Sequence, residues 1–303
     1  MPEPQTPLSE RPWEDVERLL GVDEALERVL ALVTPASAIR MPIRRALGMV
    51  LCTSVISGEN VPPFRNSALD GYAVVAEDTT AATLDAPVAL RVTGAVAAGA
   101  TPSVAVGRGE AVRIMTGAPM PDGADAVVRF EETDEGERSP GGGHHEVRIH
   151  RAAAPWDNVR PAGEDIAAGD VMLRAGRALR PADLGLMAAA GITEAVVHRR
   201  PRVAILSTGD EVTDPRSALL PGAIRDSNTT TLAAMAESWG AEVDTLGIAR
   251  DQLDDLTQRL AAARDADMIV TSGGVSLGDF DMVKDALRAV GDIAVWQVRM
   301  KPG

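Results

Sequence analysis

At 303 residues, with 45% hydrophobic and 24% charged residues, the chain has ordinary globular composition and enough length for two or three domains. Its formal net charge of −14, from 30 Lys+Arg against 44 Asp+Glu, repels a phosphate backbone, and no basic block offsets it, so nucleic-acid binding is not expected. Cys52 is the single cysteine, which rules out an intrachain disulfide and suits a reducing compartment. The opening MPEPQTPLSERPWEDVE is acidic and lacks an apolar signal core. The longest apolar run, around 184–192, is far short of the ~20 residues of a membrane helix. A soluble, cytoplasmic protein without membrane association is the expectation.

In chain order, apolar residues at helical spacing predict a helix over 13–33, with Val16, Leu19, Leu20, Leu26, Val29, Leu30 and Val33 on one face and Pro35 ending it. A shorter helix is expected over 43–55. From Val61 the texture changes to short Val-rich runs at 72–75, 89–92, 111–114, 126–130 and 146–149, separated by Gly, Pro and Asp clusters. That pattern predicts a module of short strands and turns. Residues 131–145 (EETDEGERSPGGGHH) read as an exposed loop, and 165–179 as a β-turn-β element. Pro181 opens a helix over 182–190, closed by Gly191. From Arg202 strands and helices alternate: strand 202–208, helix from Asn228 to Gly240, strand 241–248, helix 254–264, strand 267–273, helix 282–290 and strand 293–298. Near-continuous apolar strands separated by amphipathic helices predict a parallel sheet covered on both faces.

In an open parallel sheet, ligands bind beyond the carboxyl ends of the strands. Strand 202–208 runs into STGDE, offering Ser207, Thr208, Gly209 and Glu211; strand 241–248 is followed by Asp251. Strand 267–273 ends in TSGGVSLGDFD, with Ser272, Gly273, Gly274, Ser276, Gly278, Asp279 and Asp281. Glycines let backbone amides approach an anion, and a following helix N-terminus adds positive potential. The spacing matches neither the P-loop nor the dinucleotide-binding fingerprint. Glu211, Asp251 and Asp281 are hard oxygen donors of the kind that suits Mg²⁺. Each is equally of a type that caps helices, and Asp279 is the best-placed cap. The four histidines do not form a metal set, and Cys52 is expected to be a small core residue on the second helix.

Several stretches, VPPFRNSALDGYAV (61–74), VRIMTGAPMPDGADAVV (112–128), GEDIAAGDVMLRAGRAL (163–179), STGDEV (207–212) and SGGVSLGDFDMVK (272–284), closely resemble in order and spacing the MoeA and gephyrin E-domain family of molybdopterin molybdenumtransferases. The resemblance runs from about residue 12 to the end, and the closing KPG looks like the family's next motif cut off partway. It implies an α/β plus β architecture: an N-terminal helix in 1–36, a linking α+β domain from 37–60 and 161–195, a β-rich domain over 61–160, and a MogA-like parallel α/β domain over 196–303 that binds molybdopterin and AMP. The family's C-terminal β-barrel would follow.

The activity implied is insertion of molybdate into adenylylated molybdopterin, with Mg²⁺-dependent release of AMP. The implied assembly is a homodimer whose active site is shared between subunits, working with transfer partners in molybdenum cofactor biosynthesis. Matched position by position, Asp70, Thr116, Asp165, Glu211, Asp251 and Asp281 carry the catalytic expectation. Asp251 and Asp281 also carry the metal expectation, and Lys301 is a basic residue at the anionic ligand. Asp70-Gly71 is also a turn dipeptide, and Thr116 could simply end a strand. Two positions depart from the family: Gln297 stands where a basic residue is usual, and Arg65 where Asp is frequent. The rival readings are a molybdopterin adenylyltransferase, which the α/β segment alone resembles, and a gephyrin-like scaffold without catalysis.

Overall fold

The computed structural model describes residues 20–137, 145–273 and 298–300. Its strands are β1 (Ala38–Pro42), β2 (Val55–Ile56), β3 (Asn66–Ser67), β4 (Gly71–Val74), β5 (Val88–Val96), β6 (Glu110–Ile114), β7 (Ala126–Arg129) and β8 (Glu146–Ile149), then β9 (Val159–Arg160), β10 (Val171–Leu173), β11 (Glu194–His198), β12 (Arg202–Thr208), β13 (Val212–Thr213), β14 (Ile224–Arg225), β15 (Glu242–Ala249) and β16 (Met268–Ser272). The helices are α1 (Val22–Leu32), α2 (Pro181–Ala189), α3 (Asn228–Ser238) and α4 (Leu253–Ala262). They fall into two compact units. One takes the described parts of Met1–Arg40, Gly48–Cys52 and Val196–Gly303; the other takes those of Met41–Leu47 and Thr53–Ala195.

The second unit is built on a five-stranded sheet of order β7-β4-β6-β5-β8, in which β5 and β6 run parallel and the other neighbours antiparallel. The short Val-rich runs of the sequence are these strands. Successive side chains point to opposite faces, and here both faces are buried. Tyr72, Val74, Ala111, Ala126 and Val128 pack with Leu90, Val147 and Ile149. Ala73, Val112, Ile114 and Val127 pack on the other side with Val96, Val106 and Met120. Double burial explains why these strands read as apolar runs instead of alternating. Tyr72 is wholly buried, its ring edge-on to Phe130 with centroids 5.5 Å apart; a fully buried large apolar side chain contributes roughly 1.5–3 kcal/mol.

Two expectations need correction in this part of the chain. Residues 43–55 form no helix beyond one 3₁₀ turn at Ile43–Arg45. Gly48 sits at φ +75°, and the Ile43 and Cys52 amides donate to the carbonyls of Thr193 and Val196, so the backbone bonds leave the segment instead of closing helical turns. Cys52 is therefore half-buried in a bend between the Leu51 bridge and β2, not on a helix face. The 165–179 segment holds one strand, β10, paired antiparallel with β2; Ile166 makes only an isolated bridge to Val61. The helix after it is α2, with Pro181 at its first turn, Asp183 accepting from the Arg180 amide, and Gly191 at φ +71° beyond its end.

In the first unit, β15-β12-β16 form the predicted parallel sheet. Leu206 of β12 and Ala249 of β15 are buried with Leu256 and Leu260 of α4. At the opposite edge, the Asp267 carboxylate takes two 2.6 Å bonds from Arg199 and one from the Arg202 amide, which hold its pKa down to about 2. The sequence gives no sign of the short parallel ribbon β13–β14, which intervenes between β12 and α3. The expected helix 282–290 and most of strand 293–298 lie outside the described residues; Val298 bridges Leu20 in parallel. Helix α1 starts at Val22, and its apolar residues Val22, Leu26, Val29 and Leu30 are exposed, with only Ala25 buried. No helix among the described residues is long and apolar enough to cross a membrane.

Gly71 is where this packing is least tolerant. A Cβ built there would lie 2.1 Å from the Val128 carbonyl oxygen, backbone of the neighbouring strand that cannot move aside cheaply. Gly71→Ala is expected to cost more than about 3 kcal/mol. Gly185→Ala, on α2 with open space around it, should stabilise by about 0.5–1 kcal/mol. Urea unfolding of the two variants checks both signs; equal stabilities would contradict the close approach of β4 and β7.

Candidate functional site

In the second unit, the loop before β4 and the turn after β6 are clasped together. The Ser67 hydroxyl donates to the Leu69 carbonyl at 2.5 Å, closing a tight local turn. Its backbone exchanges bonds with the opposing turn: Ser67 N–H to Ala118 O at 3.0 Å and Gly117 N–H to Ser67 O at 2.8 Å. Gly117, at φ +77°, supplies the left-handed conformation that turn needs. Asp70 and Thr116 meet as a result. One carboxylate oxygen of Asp70 accepts from the Thr116 amide at 2.7 Å and from its hydroxyl at 2.8 Å. Both residues are exposed.

The Thr116 backbone and hydroxyl donors, with the Arg113 charge adding less, hold the Asp70 pKa below the usual carboxylate value. Arg113 is itself anchored. Its guanidinium donates to Glu135 at 2.9 and 3.1 Å and lies 4.5 Å over the Phe130 ring, while the Tyr72 hydroxyl donates to the same Glu135 at 2.5 Å.

Asp165 sits elsewhere in that unit. Both its oxygens accept from Arg160 at 2.8 Å, on strand β9, which pairs with β3. Arg65, one of the departures from the family pattern, places its guanidinium 5.6 Å from the Trp156 ring centroid.

In the first unit, parallel pairing brings the strand ends level. Ser207 is in register with Ile248 and Ser272, and Thr208 with Ala249. Gly209, at φ +131°, turns the chain so that the Glu211 carboxylate folds back over it; a Cβ on Gly209 would meet Glu211 Oε2 at 2.7 Å. Gly273, at φ +97°, passes so close to β12 that a Cβ would lie 2.6 Å from the Thr208 carbonyl oxygen. Asp251 follows β15 and is half-buried. It is not the cap of α4, whose N-cap is Gln252, while Asp255 accepts from the Arg250 amide. Glu211 leads into β13, so no helix there needs it as a cap. Gly274, Ser276, Gly278, Asp279, Asp281, Gln297 and Lys301 lie outside the described residues.

Three residues of this edge escaped the sequence reading. Asp226, buried at the start of α3, accepts from the Thr229 amide at 3.0 Å. Its Asp-x-x-Thr spacing ahead of a helix was the available signal. Thr229 Oγ1 lies 2.9 Å from Ser207 Oγ, and Asn228 Nδ2 donates to Ser272 Oγ at 2.7 Å. The Thr208 hydroxyl, on a residue 2% exposed, has no partner among the described residues. An unsatisfied buried hydroxyl costs about 1–3 kcal/mol, so its position asks for an explanation. Among the described residues, no group of three or more His, Cys, Asp or Glu could hold a metal ion. Mg²⁺ needs only one or two carboxylates beside water and substrate phosphates, so Asp251 has the donor chemistry to contribute to such a site.

Glycine turns, hydroxyls and carboxylates at the carboxyl edge of a parallel sheet are the arrangement at which open α/β sheets bind ligands, carried in the same chain as a β-rich unit with its own exposed Asp–Thr pair. Residues 20–191 match the family model of the MoeA N-terminal region (domain I and II), and residues 204–303 that of a probable molybdopterin binding domain. A curated molybdopterin molybdenumtransferase 2 of Mycobacterium tuberculosis is 42% identical over 292 residues, spanning 93% of this chain and 70% of that protein. A molybdopterin molybdenumtransferase of Staphylococcus aureus is 34% identical, over 94% of this chain and 67% of its own. A crystal structure of a molybdopterin biosynthesis MoeA protein from Pyrococcus horikoshii superposes with a TM-score of 0.79 at 34% identity, covering 94% of this chain and 70% of that one. The chain belongs to the MoeA family of molybdopterin molybdenumtransferases.

The Asp70–Thr116 clasp has a pH signature. A carboxylate whose folded pKa is depressed adds stability above its unfolded pKa, and that contribution is lost as pH falls through the folded value. NMR titration of the Asp70 carboxyl should place it below the ordinary range. Thr116→Val, which removes the hydroxyl and keeps the amide, should raise it part of the way back. An Asp70 titration identical in the two proteins would show that the clasp is not formed.

Proposed function

We propose that this protein inserts molybdate into adenylylated molybdopterin and releases AMP, a molybdenumtransferase step in molybdenum cofactor biosynthesis. The observation that carries the reading is the pairing of two features within one family-matched chain: the Asp70–Thr116 clasp and the open, in-register strand ends at Ser207–Gly209 and Ser272–Gly273. The substrates are anions, and the protein carries a net charge of −14, so binding depends on local donors and not on the overall field. Amides at the Gly209 and Gly273 turns, the hydroxyls of Thr116 and Ser276, and the Lys301 ammonium are the donors assigned to that work.

Asp70 is ionised and holds the Thr116 hydroxyl in one orientation. Asp165 and Glu211 complete the acidic set. Asp251 and Asp281 are the residues that would hold Mg²⁺, which when bound supplies positive charge at the phosphodiester. The same reading includes a cytoplasmic homodimer whose active site takes the Asp70 loop from one subunit and the strand-end loops from the other. It assigns 61–160 as the β-rich domain, 37–60 with 161–195 as the link, and 196–303 as the MogA-like domain.

The test is molybdate-dependent AMP release from adenylylated molybdopterin, followed chromatographically. Asp70→Ala and Asp251→Ala should each lower the rate by at least about 100-fold with the fold retained. Absence of AMP release by the unaltered protein would refute the function, whereas a normal rate in either variant would remove only that residue from the mechanism.

A further inference from the structure

The polar cluster at the end of β12 and β16 has a division of labour that bears on which part of the substrate lies there. Asp226 is buried, and its carboxylate accepts from the Thr229 amide in the first turn of α3 at 3.0 Å, beside the paired hydroxyls of Thr229 and Ser207. A donor that the helix N-terminus would otherwise offer an anion is thus already engaged by a charge of the protein itself. A phosphate or molybdate placed at that helix N-terminus would meet the Asp226 carboxylate at close quarters. Arg225, the nearest basic residue in sequence, is committed to the carbonyls of Pro215 and Ser217.

Among the described residues of this cluster, what stays open beside Asp226 is neutral. Ser272 Oγ accepts from the Asn228 carboxamide, which among the described residues leaves the hydroxyl proton of Ser272 and the carboxamide oxygen of Asn228 available. Thr208 Oγ1 is the one buried side-chain polar atom without a partner among the described residues. It faces the Gly273 turn, where a Cβ would lie 2.9 Å from it and so would close the approach. Donor and acceptor capacity sit side by side without net charge, a set that complements an amide-like ring edge or a sugar diol better than an oxyanion.

We propose that Asn228, with the hydroxyls of Ser272 and Thr208, is a specificity-determining contact for the uncharged hydrogen-bonding part of the substrate, its pterin edge or its nucleoside, and not for its phosphate or for molybdate. Asp226 is the positioning residue that holds the cluster in place. The proposal rests on the molybdenumtransferase reading given above.

Calorimetric titration of the full chain with 6-hydroxymethylpterin, adenosine, inorganic phosphate and molybdate separates the possibilities. Asn228→Ala should weaken one of the two neutral probes by about tenfold, and which one identifies the source. Phosphate and molybdate binding should change by less than about twofold. Thr208→Val, nearly isosteric, should weaken the same neutral probe while leaving the melting temperature equal or higher, because it removes an unsatisfied hydroxyl. A purely structural hydroxyl would not give that combination. Loss of phosphate or molybdate affinity with both neutral probes unaffected overturns the proposal, as does unchanged binding of all four probes in both variants. If the unaltered protein releases AMP normally and only the variants fail to respond, the inference alone falls. If it binds no probe and releases no AMP, the reading beneath it falls too.

Discussion

Parallel pairing of β12 with β15 on one side and β16 on the other governs the chemistry of the first unit. Because all three strands run the same way and end level, the three segments that follow them emerge along one edge. The turns at Gly209 and Gly273 exploit this by bending where a side chain would collide with a neighbouring carboxylate or the Thr208 carbonyl. Hydroxyls on adjacent strands, Ser207 and Ser272, are thereby brought level and tied to α3 through Thr229 and Asn228. A strand reversed in this sheet would send its loop to the opposite edge, where Arg199 and Asp267 form an ion pair with no ligand chemistry in view.

A protein this acidic handles anions by controlling where each carboxylate spends its charge. Asp226 spends it on a helix amide, Asp165 on Arg160, and Asp255 on the Arg250 amide and Arg259. Asp70 is different: it is exposed, and it directs one oxygen at both donors of Thr116. Counting acidic residues near a strand end therefore says little. The useful distinction is between carboxylates consumed by local structure and those left to face a ligand.

Local sequence carried much of the fold. The strands around Tyr72, Val112, Val127 and Val147 and the strand–helix alternation from Arg202 onward were legible because short apolar runs between turn residues, and amphipathic periods between them, have few other uses. Where expectation failed, tertiary hydrogen bonding had won. Residues 43–55 carry helical spacing, yet their amides bond to the chain near 193–196. The β13–β14 ribbon was invisible because two-residue strands leave no period to read.

By itself the sequence determined which residue types stand at the strand ends, and which multi-residue stretches resemble the molybdenumtransferases, since both depend only on the order of residues. Only the tertiary structure decided that Asp70 grips Thr116 across 46 positions, that Asp226 rather than Asp251 serves a helix, and that the Thr208 hydroxyl finds no partner among the described residues. The physical reason is that a hydrogen-bond partner far along the chain is chosen by packing and strand register, and neither quantity is written in any local pattern.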